Sequence, residues 1–126
     1  MAIKQLHLTK TVNQELNLIA AEINAKSKTS FAEDLFLHVH INNSLAIINP
    51  SFEIIETDVK GDVERISLSL DNDTSYFLRL QAVKLNTSQK EFMQSILVWL
   101  ANEHRENGRV WIDDTPVRAL PVRMRK

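Results

Sequence analysis

The chain has no cysteine and only two glycines, Gly61 and Gly108, in 126 residues. The first absence removes disulfides, thiolate zinc sites and a cysteine nucleophile together, and fits a reducing compartment. The second is as restrictive. A phosphate-cradling P-loop, a dinucleotide fingerprint and a nucleophile elbow each need two or more glycines at set spacings. None can be written here, so no nucleotide cofactor is expected. No apolar run approaches a membrane span. The N-terminal "MAIKQLHLTK" lacks the apolar core of a secretory signal. The expectation is a cytoplasmic protein.

What remains is ordinary for a globular chain, at 44% hydrophobic and 25% charged. The length suits one core and one domain, residues 1–126. The net charge of −1 hides an uneven distribution. Residues 1–32 carry four lysines against Glu15 and Glu22, and residues 33–74 carry nine acids against Lys60 and Arg65. Residues 75–126 carry nine bases against five acids. An acidic middle and a basic end suit partners of different charge.

"AIKQLHL" alternates apolar and polar residues and predicts a first strand. In "TVNQELNLIAAEINAKSK", Thr11 and Gln14 have capping-box spacing, and Val12, Leu16, Ile19 and Ile23 share a helical stripe. From residue 33 to 86 the period reads as two. "EDLFLHVHI" and "SLAII" read as a hairpin about Asn42-Asn43. "SFEIIETDV" after Pro50 reads as an edge strand. "VERISLSL" and "SYFLRLQAVKL" follow, separated by the turn "DNDT". "TSQKEFMQSILVWLANEHRENG" predicts a second helix, capped by Ser88 and Glu91 and ended at Gly108. "RVWID" reads as a last strand, and "VRALPVRMRK" as a basic tail. The expected fold is therefore α+β: one antiparallel meander of about five strands packed against two helices, with a short N-terminal strand and a C-terminal strand plus tail.

In that arrangement Leu35, Leu37, Val39 and Ile41 face the helices, and Phe36, His38 and His40 face away. The same parity puts Ile66, Leu68, Leu70, Tyr76, Leu78 and Leu80 inside. Arg65, Phe77, Arg79 and Gln81 then lie outside. An outer face with two phenylalanines, two histidines and two arginines has the composition of a partner surface. It also suits stacking of unpaired bases, with the tail cations Arg118, Arg123 and Arg125 as phosphate contacts. His38 and His40 at i and i+2 have a metal-ligand spacing, but no third ligand follows, so no metal is expected.

The function this implies is a non-enzymatic binding module of inhibitor, immunity or adaptor type. It would recognise another protein, or a nucleic acid, and self-associate as a homodimer. The alternative is a metal-dependent nuclease or hydrolase. It would use Asp34, Asp58 and Lys60, whose Asp-x-Lys spelling holds Mg²⁺ in one nuclease group, or the His38/His40 pair. A hairpin-tip position for Lys60, beside Gly61, argues against that chemistry.

Overall fold

A computed structural model describes residues 2–22, 25–42, 63–107, 111–112 and 115–116. In chain order the elements are β1 (Ala2–Thr9), α1 (Lys10–Glu22), α2 (Lys28–Asn42), β2 (Val63–Leu70), α3 (Asn72–Lys84), α4 (Gln89–Asn107), β3 (Trp111–Ile112) and β4 (Thr115–Pro116). β1 and β2 form an antiparallel pair running from Ala2 opposite Leu70 to Thr9 opposite Val63. β3 and β4 make a separate two-residue ladder. The expected five-strand meander on two helices is overturned. Among the described residues the architecture is four helices around one two-stranded antiparallel sheet.

The sheet buries one face, as strand parity requires. Leu6 and Leu8 of β1 and Ile66, Leu68 and Leu70 of β2 are buried. They share a core with Val12, Leu16 and Ile19 of α1, and with Phe92, Met93, Ile96, Leu97 and Leu100 of α4. α4 is the helix expected from residue 88 onward. Ser88 Oγ accepts the Glu91 N–H at 3.1 Å, while the Glu91 carboxylate takes the Thr87 hydroxyl. α1 starts earlier than its capping-box spelling suggests, because Thr9 Oγ1 and not Thr11 accepts the Val12 N–H. The Asn13 side chain then closes the corner from strand to helix by donating to the carbonyls of Leu8 and Thr9.

Each edge of the sheet has one backbone N–H taken up by a helix side chain. The His7 N–H of β1 donates to Gln94 Oε1 of α4 at 2.8 Å. The Ser69 N–H of β2 donates to Glu33 Oε2 of α2 at 2.6 Å. His7 pairs with Arg65 and Ser69 with Ile3. Both therefore occupy the same class of ladder position, whose N–H points outward from the pair.

Two segments read as strands are helices, and each has a physical reason. The alternation over Leu35–Ile41 is a sample of a longer stripe. Phe31, Ala32, Leu35, Phe36 and Val39 are all buried, a spacing of three and four that only a helix satisfies. Ser27 opens that helix by accepting the Ser30 N–H on its hydroxyl. In the second segment the turn "DNDT" is an N-cap. Asp71 accepts the Thr74 N–H at 3.1 Å, and Thr74, Leu78 and Ala82 bury one helical face. α3 ends in a Schellman motif, with Thr87 N–H on the Ala82 carbonyl and Asn86 N–H on that of Val83. Asn86 supplies the left-handed conformation at φ 58°. The strands expected over 43–62 and the tail from 117 lie outside the described residues.

Leu100 of α4 is fully buried in the shared core. Leu100→Ala is expected to destabilise by about 2–5 kcal/mol, the range for emptying a leucine site in a packed core. Urea unfolding of the two proteins checks this. A loss under about 0.5 kcal/mol, typical of surface changes, would contradict this face of α4.

Candidate functional site

With 35–42 and 75–84 helical, the outer sheet face on which the binding residues were grouped does not exist. Phe36 and His38 are buried on α2, and Phe36 belongs to the core. Arg65 is exposed on β2 and Arg79 on α3, Gln81 is half-buried, and Phe77 packs against the edge of the core. Tyr76 and Leu80, expected inside, are exposed, as is Ile41. Asp34 is buried on α2. Asp58, Lys60, Arg118, Arg123 and Arg125 lie outside the described residues. On a helix, i and i+2 point about 200° apart, so His38 and His40 do not share a face. Among the described residues no three His, Cys, Asp or Glu side chains converge on a metal position.

Of the expected set, the fold brings His40 and Phe77 together. Their rings stack at 5.0 Å between centroids with 27° between planes. His40 lies in the last turn of α2. Its Nδ1 is 3.0 Å from Thr74 Oγ1, and Thr74 Oγ1 is 2.6 Å from Asp71 Oδ1. The protons along this chain can be assigned. A carboxylate only accepts, so the single Thr74 hydroxyl proton goes to Asp71. Oγ1 must then accept from His40 Nδ1–H. The neutral ring is thereby held in one tautomer, with its lone pair on Nε2. The hydrogen bond from Thr74 is the largest influence on Asp71 and holds its carboxyl below the ordinary 3.8.

This arrangement ties the end of α2 to the start of α3 and leaves the far side of α3 uncommitted. About 100° per residue places Thr74, Leu78 and Ala82 on the inner side of α3, and Tyr76, Leu80 and Val83 roughly opposite. The outer three are 62%, 41% and 67% exposed. Neither feature was singled out in the sequence. The acid-x-x-threonine spelling of a cap and the i, i+4, i+7 spacing of Tyr76, Leu80 and Val83 are the signals that point to them.

Removing the cap by Asp71→Ala is expected to cost about 0.5–2 kcal/mol in urea unfolding near neutral pH. Because the folded pKa is depressed, this contribution is present above 3.8 and fades as pH falls through the lower folded value. A wild-type advantage over the variant that grows on acidification would contradict the assignment.

No protein-family model, curated protein or solved structure matches this chain.

Proposed function

We propose that this chain is a non-enzymatic protein-binding module that docks its partner on the outer stripe of α3. The observation that carries this is the placement of Tyr76, Leu80 and Val83, exposed and in line on a 13-residue helix whose opposite face already serves the core. Single exposed apolar residues are normal, but a contiguous stripe marks an interaction surface.

The partner in this reading is a second copy of the chain. In an antiparallel pair of α3 helices about a two-fold axis, Leu80 meets its own copy and Tyr76 meets Val83 of the partner subunit. Asp73 and Lys84 lie on one flank of the stripe near its opposite ends, so each acid faces a base across the axis. Arg79, on the other flank, faces its own copy, with its long stem carrying the charge outward. One short helix face is a small interface, so the pairing belongs with weak complexes.

Sedimentation over a range of micromolar concentrations tests the reading. Wild type is expected to dimerise reversibly and Leu80→Arg to remain monomeric with an unchanged urea midpoint. Tyr76→Ala is expected to weaken pairing about thirtyfold, the cost of losing an aromatic anchor. A wild-type monomer at every concentration would remove the homodimer. Lysate capture lost in Leu80→Arg would then support a foreign protein partner, and capture abolished by nuclease would replace it with nucleic acid.

A further inference from the structure

We infer that His104 is a proton-operated clamp between α1 and α4: as an imidazolium it bridges Glu15 and Glu22, and loss of its proton opens the bridge and loosens α1 from α4. The inference is independent of the docking face on α3.

The geometry comes from two helices. Glu15 and Glu22 are seven residues apart, about two turns, and so lie on one stripe of α1. His104 projects from the last turn of α4 between them, with its side chain only 9% exposed. Nδ1 lies 2.5 Å from Glu15 Oε2, and Nε2 lies 3.0 Å from Glu22 Oε1. The first contact is a hydrogen bond. The second is too bent for a straight one, so it acts as a close charge pair.

A proton count makes the protonation state decisive. Both partners are carboxylates, which accept and cannot donate while ionised. A neutral imidazole has one N–H, so whichever tautomer forms, one nitrogen turns a lone pair toward a carboxylate at contact distance. Only the imidazolium carries an N–H on both nitrogens and sets a positive charge between the two carboxylates. The C-terminal end of α4 favours the same charge.

Burial is the largest single influence on His104 and disfavours the charged ring. The close contacts and charges of Glu15 and Glu22 together outweigh it and raise the pKa above 6.5. Among the described residues, α1 alone of the elements packed on α4 brings a charged partner to His104. β1 carries Lys4 and His7, and α3 carries Asp73, Arg79 and Lys84, but among the described residues none pairs with this ring. The three side chains do not make a cation site. The carboxylates meet opposite nitrogens of one ring, so no point is shared by all three.

The sign of the pH effect follows. A histidine raised in the folded state contributes stability that is complete below 6.5 and is lost as pH rises through the folded value. Wild-type protein is expected to lose urea resistance between about pH 6 and about pH 9, where carboxylates ordinarily stay ionised. Glu22→Gln removes the more exposed carboxylate with little change in shape. Its deficit against wild type should be present near pH 6 and close by about pH 9, with backbone amides of α1 losing protection first. A direct readout is the NMR titration of the His104 ring. Its midpoint is expected above 6.5 in wild type and lower in Glu22→Gln. A wild-type midpoint at or below 6.5, or a deficit in Glu22→Gln that stays constant with pH, would overturn the clamp.

Discussion

A two-stranded sheet is all edge, and that constraint organises the molecule. Each strand uses one side of its backbone for the other strand and leaves the opposite side with N–H and C=O groups that must be paired or wet. The helices answer this with side chains as well as with apolar cover. Gln94 reaches one edge and Glu33 the other. Both come from helices whose apolar residues line the same core, so edge protection and core formation are one act of packing. An amide and a carboxylate at these positions also block a foreign strand, which would need the very N–H groups they hold.

The polar contacts between elements sit at seams. Asn13 fastens β1 to α1, the Asp71–Thr74–His40 chain fastens α2 to α3, and Gln89 fastens α4 to the Ser75 carbonyl of α3. Each fixes the direction of an element whose burial is set by apolar residues. Asn13, His40 and Gln89 each bond to a neighbouring element, where an apolar side chain would leave a backbone or hydroxyl group unpaired.

How much of this was legible depends on where the pattern began. β1, β2 and α4 were, because Leu6 and Leu8, the Ile66–Leu70 alternation, and the arc from Phe92 to Leu100 each fit only one period over their whole length. α2 was not. Its Leu35–Ile41 stretch alternates by coincidence, and the deciding residues, Phe31 and Ala32, precede it. α3 was lost for a related reason. Its two apolar stripes, one inner and one outer, sum to a pattern without a clear period, and an aspartate cap is spelled like a turn. The site followed the fold: residues grouped by strand parity dispersed once the parity was gone. His40 and Phe77 met through the packing of α2 on α3.

The pairing of Thr9 with Val63 and of Ala2 with Leu70 has a kinetic consequence. All of α1 and α2 lies between the two strands, so the sheet closes a long loop, and loop closure of that kind is slow relative to helix formation. During synthesis β1 leaves the ribosome well before β2 exists. The N-terminal strand then waits, with Leu6 and Leu8 unburied, while the local helices form. Sequence separation thus favours helix formation ahead of sheet closure. The exposure of β1 in that interval leaves its apolar residues open to misassociation.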